Sequence, residues 1–400
     1  MQNENHYGVG IDIGTDSVRV VIGMSEGKNN PIITGYSEVK NAGMRKGTII
    51  SIDQTAAALD KALSEAEKMA NYRVSSATIS INGTHIIGQT SHGTIAVTGR
   101  EVSHEDVKRV EQDASLVQLE ENREILDITT RGFILSGQTN IKDPIGMSGL
   151  RLEVDSYIIS GLTPHISNLE RVFDLVELPK TTILPSGLAA AQVVLNRHQK
   201  ENGVVCIDIG GTTTNIVIYD EGELYHTAIL PVGSNNVTND LAIGLRTDLE
   251  IAEKVKVDYA MATPGMRASV GKIKIVANGE DHYFETGVVD NIVEARMEEI
   301  FELVNLELRR VDRYAKLPGG VVLTGGGAKL TGVAVLAKAI MKLNAKVSEP
   351  HRFGGLGERV ASSAWSTALG LMIVDIKDDI AVMKPKKNKS WFFRKSNNTK

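Results

Sequence analysis

The chain has 400 residues, a formal net charge of −5 and a single cysteine, with 42% hydrophobic residues. That length exceeds what one hydrophobic core grows to, which predicts two domains, each open to subdivision. The acidic balance argues against general nucleic-acid binding, which draws much of its affinity from a basic surface, and one cysteine excludes a disulfide framework.

Cys206 sits inside an apolar run and is expected as a buried small hydrophobe in a reducing compartment. The opening MQNENHYG has neither a basic nor an apolar leader region, and no run of about 18 apolar residues occurs. Neither a secretory leader nor a membrane-spanning helix is therefore expected.

In chain order, VGIDIGTDSVRVVIG at 9–23 reads as two strands around a tight polar turn, followed by a third strand from Pro31 to Val39. Ile52 to Ala70 carries Ala56, Leu59, Ala62, Leu63, Ala66 and Met69 at helical spacing, so an amphipathic helix is predicted. A strand at Ala77–Ile81 completes a βββαβ order. Residues 82–161 then read as an inserted α+β subdomain. Its predicted strands are Ile86–Ser91, Ile95–Thr98, Glu124–Ile134 and Arg151–Ile159, with a helix from Ser103 to Leu116 capped by Ser103 and Asp106. His85, His92 and His104 lack metal-ligand spacing and are expected as ordinary surface or loop residues.

A short helix is predicted at Asn168–Val176, then a strand that turns at Pro185-Ser186-Gly187 into a helix ending near Asn196. Next comes VVCIDIGGTTTNIVIYD at 204–220, a second copy of the opening hairpin, and the βββαβ order repeats in outline, with strands at Leu224–Pro231 and Gly320–Thr324. The matched flanks of Asp12 and Asp208 point to a duplication. Each turn is a plausible phosphate cradle: glycines admit the ligand to the backbone, amides and hydroxyls donate to phosphate oxygens, and the Asp can hold hydrated Mg²⁺. Two such cradles facing one another would clamp a nucleotide.

Helices are predicted at Val237–Gly244 and Asp248–Tyr259, the second carrying Glu253 and Lys256 at i, i+3, as a solvated salt-bridge face suits. Ile273–Val276 and His282–Phe284 suggest a hairpin, and Val288–Leu317 a long helix burying Ile292, Ile300, Phe301, Val304 and Leu308. VVLTGGGAKLTG at 321–332 delivers three glycines from a strand to a helix, which suits close approach to a flat or phosphorylated ligand. From Met383 onward there are seven basic residues, no acid, and the cluster Trp391-Phe392-Phe393. Such a segment suits the surface of an anionic bilayer, each basic residue adding about 1 kcal/mol. A solubilising tail, or an aromatic cluster docked on the body, is the alternative.

Nearly the whole chain resembles the bacterial cell-division protein FtsA family, within the actin, sugar-kinase and heat-shock-chaperone ATPase superfamily. The two Asp-Ile-Gly turns resemble the superfamily's phosphate motifs and LTGGGAKL its adenosine motif; 182–195 and 361–374 resemble its connecting helices. PVGSNNVTNDLAIGLRTDLEIAEKVK at 231–256 and FGGLGERVASSAWSTALGLMIV at 353–374 resemble FtsA-type sequences in particular. The resemblance implies an α/β actin-like duplicated ATPase fold, two domains around a nucleotide cleft. Domain 1 would span 1–81 and 162–198, with a family-specific subdomain inserted at 82–161. Domain 2A would span 199–237 and 306–376, subdomain 2B 238–305, a linker 377–389 and a membrane-targeting tail 390–400.

It further implies ATP and Mg²⁺ as cofactors, held by Asp12, Gly14, Thr15 and Ser17 from one side and Asp208, Gly210, Gly211, Thr212 and Thr213 from the other. Asp12 and Asp208 would hold the metal through water. Gly325, Gly326 and Gly327 would pack on the adenosine, Glu253 and Lys256 would lie near adenine and ribose, and Gly233 would begin a loop approaching the nucleotide. Gln192 matches a glutamine that orients the attacking water, for at most a slow Mg-dependent ATPase. Arg296 and Glu299 match a surface for the tail peptide of the tubulin-like division protein FtsZ. Lys389, Trp391, Phe392, Phe393, Arg394 and Lys395 would anchor the chain to anionic lipid. The implied protein polymerises with itself, meets other division proteins, binds no nucleic acid, and lies peripherally on the cytoplasmic face of the membrane at the division site.

Two features depart from the family pattern. Thr212 stands where a third glycine is usual, and Asn215 where an acid commonly follows the threonines. The β-carbon at 212 restricts backbone approach to phosphate. The alternatives of another class are a small-molecule kinase of the same superfamily, which would need a carboxylate base aimed at an acceptor hydroxyl, and an actin-like platform for pilus assembly.

Overall fold

The computed structural model describes residues 5–26, 31–117, 119–178, 180–263, 265, 267, 271–277, 279–351 and 353–383. The expected anchor residues Lys389, Trp391, Phe392, Phe393, Arg394 and Lys395 lie outside the described residues.

Strands β1 (Asn5–Ile13), β2 (Ser17–Glu26) and β3 (Ile32–Lys40) form an antiparallel meander. After the short pair β4 (Met44–Arg45) and β5 (Thr48–Ile49) comes α1 (Ile52–Ala70). Ser51 caps α1 by accepting from the Gln54 amide, and Asn71 ends it in the left-handed region, where Asn is among the better tolerated residues. Its buried face carries Ala56, Leu59, Ala62, Leu63 and Ala66 as expected, but Met69, seven residues on from Ala62 along the same stripe, is exposed in the last turn of the helix. Next, β6 (Ser76–Ile81) runs parallel to β1.

The insert comprises β7 (Ile87–Ala96), α2 (His104–Ser115), β8 (Arg123–Leu135), β9 (Gln138–Ile141) and β10 (Arg151–Leu162), in the sheet order β7-β10-β8-β9. The two short strands expected at 86–98 are one continuous strand, because β10 pairs with it from Ile87 to Ala96 without a break. The Ser103–Asp106 capping box is present as read.

The chain re-enters the first sheet through α3 (Thr163–Leu175), which begins a turn earlier than expected with Pro164 in its first turn. Then follow β11 (Lys180–Pro185), parallel to β6, α4 (Ser186–Val194) and α5 (Arg197–Glu201).

The second half opens with β12 (Val204–Ile209), β13 (Thr214–Asp220) and β14 (Glu223–Leu230). It continues through α6 (Ser234–Leu245), α7 (Leu249–Tyr259), the hairpin β15 (Lys272–Ala277) and β16 (Glu280–Glu285), and α8 (Thr286–Arg310). Helix α8 stops seven residues short of the expected end at Leu317; Asp312 and Ala315 take positive φ, which breaks the helical run. Last come β17 (Val321–Thr324), α9 (Val333–Met341), β18 (Ala345–Val347), β19 (Gly354–Gly355) and α10 (Ser366–Met383).

The first sheet contains the order β3-β2-β1-β6-β11, and the second has β14-β13-β12-β17-β18, with the same strand directions. The duplication is thus a duplication of topology. Each half has its own core, the first around Ile11, Val20 and Ile79, the second around Ile207, Ile216 and Phe301, while a third core around Leu152 and Val154 belongs to the insert. Helix α10 returns from the second half to lie on β1, where Asp375 Oδ2 accepts from the Val9 amide at 2.9 Å. Helices α4 and α10 pack together, and Gly370 permits their approach: a Cβ there would lie 1.8 Å from the Ala189 carbonyl oxygen.

Candidate functional site

The two hairpin turns have one construction. Gly14 N donates to Ser17 O at 3.0 Å, and Gly210 N donates to Thr213 O at 2.9 Å. In register, Asp12 faces Arg19 across the first hairpin and Asp208 faces Asn215 across the second. Equivalent strands therefore present equivalent carboxylates at the ends of the two sheets, and both line one cavity of about 290 Å³.

From the first half, Asp12, Gly14, Thr15 and Ser17 line that cavity, and from the second Asp208, Gly210, Gly211 and Thr213 do so. Glu253, Lys256, Gly325, Gly326 and Gly327 line it as well, so four stretches far apart in sequence converge. Thr212 is not part of the lining, because its hydroxyl is turned to Thr15 Oγ1 at 2.8 Å. Gly233 stands behind the second turn rather than in the wall; it starts α6, whose first amides, Ser234 N and Asn235 N, donate to Gly210 O and Gly211 O. Lys256 is buried rather than part of a solvated face: its Nζ reaches Glu253 Oε2 at 2.7 Å, Thr238 Oγ1 at 2.9 Å and Ser234 O at 3.3 Å. The three glycines do not lead straight into a helix as expected. Gly325 takes φ 86° and opens a short 3₁₀ turn at Gly326–Lys329, which brings its backbone beside Asp208; a Cβ there would lie 2.3 Å from Oδ1.

Gln192 does not line the cavity; Ser186, at the start of α4, does. Six residues along a helix amount to about 9 Å, the distance along α4 from Ser186 to Gln192. Gln192 thus stands outside the lining of this cavity. Arg296 and Glu299 also lie off the cavity, although Met297 between them lines it. Arg296 is engaged by Asp240 of α6 at 2.6 Å and by Glu299, so its charge is already paired within the chain.

Sequence reasoning missed Asp16, Arg19, Asn82, Asn235 and Met297, all in the lining. Asp16 and Arg19 were within sight, lying in and beside the first turn. Asn82 follows the last residue of β6, a position from which a side chain reaches the cleft only once the sheets are apposed. Asn82 Nδ2 donates to Thr213 Oγ1 at 3.0 Å, and Asn235 Nδ2 donates to Asp16 Oδ1 at 2.7 Å.

The electrostatics are those of a buried acid pair only partly offset by Arg19, whose Nη1 lies 4.0 Å from Asp12 Oδ2. Burial, and then the Asp12 carboxylate, push Asp208 up to about 7, against a hydrogen bond from Asn215 Nδ2 at 3.1 Å. Burial likewise raises Asp12, opposed by Arg19 and by the Ser80 hydroxyl at 2.9 Å. Two further polar atoms of lining residues, Arg19 Nε and Asn215 Oδ1, are buried without a partner. Unpaired buried groups of this kind are costly, so the wall suits a charged ligand with a hard cation. Among the described residues no cluster of three or more His, Cys, Asp and Glu forms a metal cage. A cation here would be held by two carboxylates and complete its shell with water and ligand oxygens, as Mg²⁺ does.

His85 lies in the loop between β6 and β7, as the reading of a surface or loop residue allowed, but it is buried there. It stacks on His165 with ring centroids 4.2 Å apart, at the root of the insert, and its Nε2 lies 3.1 Å from Asn82 O. Cys206 is buried and unbridged, with its thiol raised by burial.

The duplicated sheets, the paired glycine turns and the cleft between them define an actin-like ATPase fold. Solved structures agree on that fold. The type IV pilus biogenesis complex PilM–PilN matches with a TM-score of 0.66 at 15% identity, covering 92% of this chain and 98% of the other. MreB5 of Spiroplasma citri bound to ADP matches with a TM-score of 0.58 at 13% identity, covering 95% and 99%. Family models for cell division protein FtsA and for the SHS2 domain inserted in FtsA match residues 205–370 and 83–160. The FtsA of Pseudomonas aeruginosa is 33% identical over 371 residues, 92% of this chain and 89% of that protein. The FtsA of Bacillus subtilis is 35% identical over 375 residues, covering 92% and 83%. The chain belongs to the FtsA family of cell-division proteins.

Proposed function

We propose that the chain is an ATP-dependent cytoskeletal adaptor that polymerises head to tail on the inner face of the cytoplasmic membrane and tethers the FtsZ ring there. The observation that carries the nucleotide reading is the pair Asp12 and Asp208, set at equivalent ends of two hairpins and facing one cavity beside two glycine turns. Gly14 and Gly210 close the two turns and admit the phosphates, which the backbone and hydroxyls of Thr15 and Ser17 and of Gly211 and Thr213 cradle, with Thr212 tied to Thr15 beside them, and Asp12 and Asp208 hold Mg²⁺ through water. When bound, Mg²⁺ neutralises phosphate charge. Glu253 and Lys256 meet ribose and adenine, and Gly325, Gly326 and Gly327 pack on the adenosine.

Nucleotide acts here as a switch. A ligand gripped from both halves favours the closed cleft, and closure aligns the surfaces that join protomers; head-to-tail contacts that do not close a ring build filaments. The same reading assigns 1–81 with 162–198 and 199–376 to the two halves, 82–161 to the insert, and 390–400 to the membrane tail. It assigns Arg296 and Glu299 to the FtsZ tail peptide, which must then compete with the Asp240 pairing, and it places other division proteins among the partners. Among the described residues no helix is long and apolar enough to cross a membrane; the reading assigns attachment to the basic, aromatic tail at 390–400.

The test measures nucleotide and Mg²⁺ binding and filament formation in one preparation, with ATP and anionic vesicles. Filaments by electron microscopy, and vesicle co-sedimentation lost on truncation before Lys384, are expected. No filaments over a wide concentration range would remove the polymer from the reading, and unchanged co-sedimentation would remove the tail. Capture of the chain by an immobilised FtsZ tail peptide separates this reading from a pilus platform.

A further inference from the structure

We propose that Asp16 and Asn235 form a latch across the mouth of the cleft that controls how fast nucleotide enters and leaves; this rests on the nucleotide reading above. Asp16 lies in the first turn, among residues expected to meet phosphate, yet its charge has the wrong sign for that task. Its place in the structure is different. Oδ1 accepts from Asn235 Nδ2 of the opposite half at 2.7 Å, and Oδ2 lies so close over the second turn that a Cβ on Gly211 would be 2.0 Å from it. The carboxylate thus lies over the backbone of the second turn, and its bond to Asn235 bridges the two halves at the wall of the cavity.

Both ends of the latch are fixed to their own halves. Asp16 O accepts from Asn41 N at 3.0 Å, and Asn235 N donates to Gly211 O at 2.7 Å. The side-chain bond between them therefore breaks when the halves separate. Among the described residues, the cross-cleft bonds Thr15 to Thr212 and Asn82 to Thr213 join neutral groups and are part-buried. The Asp16–Asn235 bond is the charged one, and it is exposed, where an arriving anion meets it first. Charge-assisted bonds are also the stronger kind.

The experiment is stopped-flow release of a fluorescent ADP from the full chain with Mg²⁺, chased by unlabelled ADP. Asn235→Asp sets a carboxylate against Asp16 and is expected to speed release by about tenfold or more. The reversed pair, Asp16→Asn with Asn235→Asp, restores an amide-to-carboxylate bond and is expected to return release to within about twofold of the unsubstituted rate, a rescue that a general packing defect would not show. Asn235→Ala, which adds no charge, gives the same readout at smaller size should Asn235→Asp fold poorly. Release from Asn235→Asp or Asn235→Ala at the unsubstituted rate overturns the latch, and so does a reversed pair as fast as the single variant. If equilibrium titration shows no binding of fluorescent ADP to the unsubstituted chain, the nucleotide reading falls and the latch with it.

Discussion

The hydroxyls of Thr15 and Thr212 lie 2.8 Å apart across the cleft, joining residues 197 positions apart in the chain. A glycine at 212 could not make this bond. The β-carbon that departs from the family pattern thus carries a tie between the two phosphate turns, and Gly47 N also donates to Thr15 Oγ1, at 3.3 Å. Replacing Thr212 by Ala removes one neutral hydrogen bond worth about 1 kcal/mol. The expected result is a roughly fivefold rise in cleft opening, read as faster hydrogen exchange at the amides of residues 210–214 in the nucleotide-free chain.

Asp208 makes the metal-free protein sensitive to pH. Its folded value near 7 lies above the ordinary carboxylate range, so near neutrality the folded chain holds a proton that the unfolded chain releases. The stability this contributes is present at low pH and is lost as pH rises through about 7. Metal-free thermal melts between pH 5 and 8 should show it, stability falling with rising pH below about pH 7 with a slope of at most about 1.4 kcal/mol per pH unit from this group and levelling off above, and Asp208→Asn should flatten the profile.

Cation binding has the opposite dependence, because the metal requires the ionised carboxylate. Mg²⁺ affinity should rise with pH and level off above about 7. Asp208→Ala should abolish Mg²⁺-dependent ATP binding in a calorimetric titration; retained affinity would show that the second hairpin does not hold the cation.

Arg131 pins the insert to the second half. Its Nε donates to Leu224 O at 2.8 Å and another nitrogen to Tyr225 O, while its guanidinium lies 4.4 Å from the Tyr157 ring and 5.4 Å from the Tyr225 ring. Arg131→Ala should cost about 2 kcal/mol and speed hydrogen exchange along β14. Arg131→Lys should recover only part, since an ammonium lacks the planar fork.

His85 should loosen the root of the insert in acid. Burial, then the neighbouring His165, pull it down to about 4, so the folded chain keeps it neutral while the unfolded chain takes up a proton near its ordinary value. The stability held by the neutral ring is present above about pH 6.5 and is lost as pH falls toward 4. Protection factors at the amides of Ile86 and Leu162, referred to the intrinsic exchange rate at each pH, should fall between pH 7 and 5, and less so in a His85→Asn variant.

The sequence alone determined what local pattern can carry: two copied hairpins, three glycines, a capped helix in an insert, and long stretches resembling one family. Alternation and helical spacing are local properties, so α1, β8, β12 and β13 were legible within a residue or two. The pairing of β7 along its whole length, the early end of α8 and the burial of His85 and Lys256 depend on neighbours far away in the chain. So did the site. Residues were nameable from each turn, but only the apposition of two sheets shows that Thr212 is turned to Thr15 instead of the cavity, that Gln192 stands outside its lining, and that Asp16 meets Asn235. Sequence spacing places a side chain on its own hairpin; which group it faces is decided by the opposite half of the fold.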